Sequence, residues 1–440
     1  MNFEEDDEDF SDEIGIDIKD GASSAVLVGT YGGHEDKEQC IEYLAELESL
    51  ADTFGVPVLS KMACPVRKVE ASTFLSSGKL DEVIAEIATT GVNLVIFDAE
   101  ISPAQQRNLE KRLKVAVMDR TELILEIFAG RAQTKEARLQ IELAKAKYEF
   151  PRLKRLWSHF SRQSSSGGGH LKGEGEKQIE IDRRLLKKKL ERLNEELLEV
   201  TKYRQTQSTS RRRSGIPTFA IIGYTNAGKS TLLNALTDAK VFVEDKLFAT
   251  LDPTTRKFLF PNNQEILLTD TVGFIRKIPH TLVAAFRSTL EAALHDDVLL
   301  HLIDVSHPLA EEHATVTRKL LKELKAEEAP IITVLNKADA CEDNTRLERL
   351  KRLYPKSVVI SATERTGLES LVEMMMQELS SLRKVLKLKI PQSEYALVAD
   401  IRRSGHILYE EYEGNDVLIR AEIPLNALHR FDSYINDSDV

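Results

Sequence analysis

Two glycines, a lysine and a hydroxyl stand at a phosphate-binding spacing in Gly223-Tyr224-Thr225-Asn226-Ala227-Gly228-Lys229-Ser230. The apolar run Phe219-Ala220-Ile221-Ile222 precedes this stretch and Thr231-Leu232-Leu233-Asn234-Ala235-Leu236 follows it, an order that reads strand, glycine loop, helix. Glycines let backbone N–H groups converge on phosphate oxygens at the helix N-terminus. Lys229 reaches the β- and γ-phosphates, and the Ser230 hydroxyl suits Mg2+. The chemistry implied is the binding of a nucleoside triphosphate.

Further stretches define the rest of the site. Ile266-Leu267-Leu268-Thr269-Asp270 reads as a buried strand followed by Thr271-Val272-Gly273. Asp270 is placed to hold Mg2+ through a water, and the Gly273 N–H to touch the γ-phosphate and report its presence. Between them, Phe248-Ala249-Thr250-Leu251-Asp252-Pro253-Thr254-Thr255-Arg256 is polar and proline-broken, so it reads as a loop. A threonine there can give Mg2+ a second hydroxyl, and Thr250, Thr254 and Thr255 are equal candidates on chemistry alone.

The base is read at Asn336-Lys337-Ala338-Asp339, after the strand-like Ile331-Ile332-Thr333-Val334-Leu335. An ionised carboxylate only accepts hydrogen bonds, so Asp339 pairs with the N1–H and exocyclic amine of guanine and mismatches adenine. GTP is therefore expected over ATP. Asn336 can tie this loop to the phosphate loop, and the Lys337 stem can lie along the base. A further strand, Val358-Val359-Ile360, ends in Ser361-Ala362, whose backbone N–H is expected to meet the guanine oxygen, with Thr363 next in the turn.

These four stretches, in this order, resemble the P-loop GTPases, which implies phosphoryl transfer to water driven by positioning and electrostatics. Phe274 follows Gly273 where Ras-like members place a water-orienting glutamine. An apolar side chain cannot orient water, so slow intrinsic hydrolysis is expected, with a partner completing the site. A finger residue supplied in trans is worth about 10³ to 10⁵ in rate.

The elements that carry these groups imply an α/β multidomain chain. Its 440 residues are too many for one core, and 42% hydrophobic and 30% charged residues fit a globular protein. Net charge is −11, but it is unevenly spread: Glu4 to Glu13 form an acidic tail, expected disordered over 1–22, whereas Lys145 to Arg213 is rich in Lys and Arg. Cys40, Cys64 and Cys341 are too few and too scattered for a disulfide framework or a zinc site. No bilayer-length apolar run or signal peptide is visible, so a cytoplasmic protein is expected.

Over 23–132, short apolar runs at Ala25–Val28, Val56–Leu59, Leu94–Phe97 and Val115–Met118 alternate with helical patterns. This predicts a small parallel α/β domain. Gly78-Lys79 lacks the upstream glycine and following hydroxyl of a second phosphate loop. Over 133–205, Leu139, Leu143, Ala146, Phe150 and Leu153 make one heptad seam, and Leu186, Leu190, Leu193, Leu197 and Val200 another. They predict an antiparallel helical hairpin with a flexible tip, Ser161 to Gln178, containing Gly167-Gly168-Gly169 and Lys172-Gly173-Glu174-Gly175-Glu176-Lys177. Arg183, Arg184 and the Lys187–Lys189 run beside it suit RNA. A basic linker at 206–216, a Ras-like P-loop GTPase domain at 217–383 and a small α+β C-terminal domain at 384–440 complete the chain. In the last, Tyr395–Val398, Ile407–Tyr409 and Val417–Ile419 are expected as strands, and Pro424 onward as helix.

The whole layout, over about residues 25 to 435, resembles the HflX family of ribosome-associated GTPases. The resemblance is carried by Asp98-Ala99-Glu100-Ile101-Ser102-Pro103-Ala104-Gln105-Gln106-Arg107-Asn108-Leu109-Glu110, by the glycine loop running into Glu176 to Arg184, by Gly223 to Ser230 and by Phe248 to Arg256. It implies that Ser230 and Thr250 bind Mg2+ and that Phe248 to Asp252 contact GTP. Lys229, Thr250 and Gly273 then form the candidate catalytic set. It also implies that the partner is the large ribosomal subunit with its rRNA, contacted by the tip loop, in ribosome splitting or rescue under stress. Gly167, Gly168, Gly169, Lys172, Gly173, Lys177, Arg183 and Arg184 are the candidate contacts. Family members usually read Gly-Pro-Gly-Glu-Thr where this chain has Gly173 to Lys177; Glu174 near rRNA would weaken phosphate contacts, and Lys172 and Lys177 would partly offset it. Sequence-specific DNA binding is not expected, membrane contact is at most peripheral, and a monomer is expected. The competing reading is a GTP-switched regulatory module whose hairpin recruits a protein.

Overall fold

Apolar runs without alternation belong in strands covered on both faces, and that is where the longest ones lie. The computed structural model describes residues 24–33, 36–152, 172–213, 216–237, 246–251, 253–278, 282, 297–324, 326 and 329–436. The acidic tail, Leu153, the Gly167–Gly169 tip and Asp252 lie outside them. The chain divides into two compact units, residues 1–131 with 138–195 and residues 132–137 with 196–440.

The first unit holds a four-stranded parallel sheet of β1 (Ala25–Tyr31), β2 (Val58–Pro65), β3 (Leu94–Phe97) and β4 (Ala116–Asp119), in the order β2-β1-β3-β4. Helices α1 (Asp36–Phe54), α2 (Ser77–Thr90), α3 (Pro103–Leu113) and α4 (Arg120–Arg131) alternate with the strands or follow them. Helix α3 starts where Pro103 fixes φ at the first helical position. Ser102 and Gln105 there form a reciprocal capping box, satisfying two N–H groups that the first turn leaves open.

The hairpin helices are α5 (Lys135–Glu149) and α6 (Lys172–Arg213). Lys189 pairs with Glu142 at 2.8 Å, and the Arg183 guanidinium sits 5.3 Å from the Phe150 ring. Contacts that rise along one helix while falling along the other mean that the two run antiparallel. Leu139, Leu143, Ala146 and Leu193 are buried, whereas Phe150 falls in a 3-10 turn, Phe150–Arg152, beyond the end of α5. At that turn Arg152 bonds Asp119 at 3.3 Å and the Ile101 carbonyl at 2.8 Å.

Two expectations change here. Lys172 to Gln178, expected in the flexible tip, is helical, as is the expected linker as far as Arg213. Gly173 and Gly175 each cost about 1 kcal/mol in a helix. A long downstream helix needs no new nucleus to absorb that.

In the second unit a six-stranded sheet has the order β10-β9-β8-β5-β7-β6. Its strands are β5 (Thr218–Gly223), β6 (Thr254–Leu259), β7 (Glu265–Asp270), β8 (Val298–Asp304), β9 (Ile331–Asn336) and β10 (Ser357–Val359); only β6 is antiparallel to its neighbour. Helices α7 (Lys229–Thr237), α8 (Ala310–Glu323), α9 (Asn344–Leu353) and α10 (Leu368–Ser381) accompany it. Phe219, Ile221, Leu232, Leu268, Leu300, Val334 and Met375 belong to its core. This is an α/β fold built on a mostly parallel sheet, and the segments leaving the carboxyl ends of its strands carry the candidate functional residues.

An antiparallel sheet, β11 (Arg383–Pro391), β13 (Asp416–Pro424) and β12 (His406–Glu413), follows in that spatial order. Tyr395 to Ser404, where a strand was expected, is helix α11. Val398 and Ile401, three residues apart, are both buried against Leu388 and Ile419; that is a helical and not a strand period. The chain after Pro424 makes 3-10 turns, at Leu425–Arg430 and Asp432–Tyr434. Among the described residues no helix is long and apolar enough to cross a membrane.

Candidate active site

Strand β5 ends in the phosphate loop, and two of its glycines are required by space. A Cβ at Gly223 would lie 2.5 Å from the Leu302 carbonyl oxygen. At Gly228, with φ +92°, it would lie 2.3 Å from Nδ2 of Asn336. Asn336 uses both ends of its amide: Nδ2 donates to the Ala227 carbonyl at 2.8 Å, and Oδ1 accepts from the Ala362 N–H at 3.0 Å. One buried side chain at the end of β9 thus fastens the phosphate loop to the segment after β10.

Lys229 is 6% exposed, and its ammonium donates to the Tyr224 carbonyl at 2.8 Å. Burial draws its pKa down from 10.5 to about 8, and the Asp270 charge opposes that shift. Asp270, fully buried at the end of β7, accepts at Oδ2 from Ser230 Oγ at 2.6 Å and from Thr250 Oγ1 at 3.0 Å. The two hydroxyls are 2.8 Å apart. Burial raises the Asp270 pKa, while Lys229 and the two hydroxyls pull it back. Its Oδ1 is buried with no hydrogen-bond partner among the described residues.

Three hard oxygens, one anionic and with an unused acceptor beside it, fit Mg2+, which takes oxygen ligands and keeps several of its waters. The three candidate threonines are placed differently by the fold. Thr254 and Thr255 are in β6, with Thr255 bonded to Thr269 at 3.1 Å, and only Thr250 joins Ser230 and Asp270.

A cavity of about 300 Å3 opens over this cluster. Thr225, Asn226, Gly228, Lys229 and Ser230 line it from the phosphate loop, Phe248, Ala249 and Thr250 from the next loop, and Gly273, Lys337 and Thr363 from the remaining segments. Gly273 has no room for a side chain: a Cβ would come 2.8 Å from Thr225 Cα and 2.9 Å from Lys229 Nζ. Tyr224, Ala227, Leu251, Thr271 and Val272 are buried, and Thr271 Oγ1 bonds the Ile221 carbonyl at 2.7 Å. These side chains shape the loops. Thr231 and Lys246 also line the cavity, and neither is a candidate site residue on sequence grounds. For Lys246 the available signal was a cation two residues before Phe248.

On the base side, Lys337 adopts φ +62° and its ammonium pairs with Asp304 at 2.9 Å, which fixes the stem. Asp339 is exposed on the 3-10 turn Ala338–Ala340. The Ser361 and Ala362 N–H groups, expected at the guanine oxygen, are used within the protein, by the Thr366 carbonyl at 3.1 Å and by Asn336. The cavity-lining residue of that turn is Thr363. Arg183 and Arg184 are exposed on α6, and Lys172, Gly173 and Lys177 fall in its first turns.

Three family models match the chain in sequence: a GTP-binding GTPase N-terminal region at residues 41–129, a GTP-binding GTPase middle region at 131–211, and a 50S ribosome-binding GTPase at 218–337. The GTPase HflX of Chlamydia pneumoniae is 48% identical over 419 residues, 94% of this chain and 88% of that one. The GTPase HflX of Escherichia coli strain K12 is 41% identical over 380 residues, 86% of this chain and 88% of that one. Among solved structures, a GTP-binding protein from Sulfolobus solfataricus in complex with GDP is 26% identical, with 81% of this chain and 99% of that chain covered at a TM-score of 0.43. With a glycine loop, a buried hydroxyl–carboxylate cluster and a base loop assembled as a GTPase requires, and with this identity along most of its length, the chain belongs to the HflX family of GTPases.

Proposed function

We propose that this chain is a Mg2+-dependent GTPase that binds the large ribosomal subunit, is activated by it, and acts in splitting, rescuing or assembling ribosomes under stress. The observation that carries the catalytic half is the convergence of Ser230, Thr250 and Asp270 within 3.0 Å beside Lys229. Ser230, Thr250 and Asp270 would hold the ion, which when bound neutralises charge on the phosphate oxygens. Lys229 meets the β- and γ-phosphates, the backbone of the glycine loop cradles them, and Gly273 brings its N–H to the γ-phosphate. Asp339 takes the guanine edge. Phe274, 2% exposed, is packed away and orients no water, so the intrinsic rate is low and the partner completes the site.

The ribosomal half is supported by the 50S ribosome-binding GTPase model over residues 218–337 and by the basic face of α6, where Arg183, Arg184, Lys187, Lys188 and Lys189 are exposed. Co-sedimentation with purified large subunits tests it. Binding that falls steeply between about 50 and 200 mM salt, and falls further in Arg183→Glu with Arg184→Glu, is expected for phosphate contacts. Absence of co-sedimentation at low salt with either nucleotide would remove the ribosome from the account and favour a protein partner.

A further inference from the structure

The segment after Gly273 is laced to the phosphate loop by three hydrogen bonds. The Thr225 N–H donates to the Phe274 carbonyl at 2.7 Å, and the Phe274 N–H donates to the Gly223 carbonyl at 3.0 Å, forming a short parallel bridge. The third bond is made by a side chain: the Arg276 N–H donates to the Tyr224 hydroxyl at 2.8 Å. The Tyr224 side chain is 5% exposed, and its ring stacks on His313 of α8 at 3.7 Å with 5° between the planes. His313 in turn lies 4.4 Å from His307. Tyr224 therefore spends its backbone on the loop that holds phosphate and its side chain on the segment that reads the γ-phosphate.

We propose that Tyr224 is a positioning residue for the GTPase reaction, one whose hydroxyl sets the register of Gly273 to Arg276 over the phosphate loop and so the approach of Gly273 to the γ-phosphate. Its ring is buried and does not line the cavity over Ser230 and Asp270. The proposal rests on the GTPase assignment and adds to it a determinant of GTP-over-GDP discrimination. GDP has no γ-phosphate, so its affinity does not depend on where Gly273 stands. GTP affinity and hydrolysis do depend on it, because a Cβ at Gly273 would already come 2.9 Å from Lys229 Nζ, the group that meets the same phosphate. The His313 stack holds the ring at the angle the Arg276 N–H needs. Burial, with His307 and Arg276 nearby, pulls the imidazole pKa down to about 3, so it stays neutral against the phenol.

Tyr224→Phe removes the hydroxyl and keeps the ring on His313. Dissociation constants for GDP and for a non-hydrolysable GTP analogue, and the single-turnover hydrolysis rate, would be measured beside the melting temperature. Loss of one hydrogen bond predicts a GDP constant within about twofold of wild type, an analogue constant raised about fivefold and a rate lowered about tenfold. His313→Leu, which frees the ring but keeps the hydroxyl, is expected to shift the same ratio in the same direction by less. Equal weakening of both nucleotides in Tyr224→Phe would mean that the tyrosine only builds the loop, and an unchanged ratio with an unchanged rate would equally overturn the proposal. If the wild-type chain bound neither nucleotide, the GTP reading would fall and this proposal with it.

Discussion

Ser230 donates its hydroxyl to Asp270 Oδ2 over 2.6 Å, linking the first turn of the helix after the glycine loop to the end of β7, forty residues on. Both groups would serve one cation, so removing the hydroxyl and removing the cation should have overlapping effects. Ser230→Ala is expected to weaken GTP binding about tenfold to a hundredfold in Mg2+. Chelation of Mg2+ should weaken the wild type similarly and the variant little further. Calorimetric titration with and without the metal reads both; full additivity would contradict a shared role.

Asn336 makes two buried hydrogen bonds to different loops, and an alanine there leaves the Ala227 carbonyl and the Ala362 N–H without it. Asn336→Ala should lower stability by about 1 to 3 kcal/mol and weaken both GDP and GTP, because the damage lies under the phosphate loop and not at the γ-phosphate. Urea unfolding and nucleotide titration on one preparation check this.

Asp339→Asn replaces an acceptor-only group with an amide that donates as well. Affinity should move from guanine to xanthine nucleotides by about tenfold or more in each direction, since a mismatched donor pair leaves polar groups unpaired. Competition between GTP and XTP for the site measures it.

His301 in β8 is fully buried, and neither ring nitrogen has a hydrogen-bond partner among the described residues. Burial, with Arg318 adding to it, pulls its pKa down from 6.5 to about 3. The unfolded chain therefore takes up a proton below about pH 6.5 that the folded chain refuses until about pH 3. Stability should fall as pH drops through that window, by at most about 1.4 kcal/mol per unit from this group. His301→Leu should flatten that fall and cost nothing at pH 7, as seen in denaturant unfolding at a series of pH values.

The phosphate loop was legible because its chemistry tolerates few residue types at fixed spacing, and Asn336 to Asp339 because a carboxylate and an amide have distinct bonding capacities. Local spacing was a weaker guide elsewhere. Four residues from Tyr395 suggest a strand, and only the burial of both Val398 and Ile401 shows the helix. The strand Arg383–Pro391 has alternating Leu386, Leu388 and Ile390, yet it straddles an expected domain boundary and is not among the expected strands. The bond from Arg276 to Tyr224 spans 52 residues, and no periodicity encodes it. Nor could the sequence show that the Ala362 N–H is committed to Asn336, since that depends on how two loops meet.

Multiple-turnover GTP hydrolysis with and without purified large ribosomal subunits, with Asp339→Asn as the specificity control, tests ribosomal activation directly. A slow basal rate, stimulation by subunits, and loss of both with GTP in the variant are expected. A rate that large subunits leave unchanged, in a chain that still binds GTP, would contradict ribosomal activation and leave only the nucleotide switch.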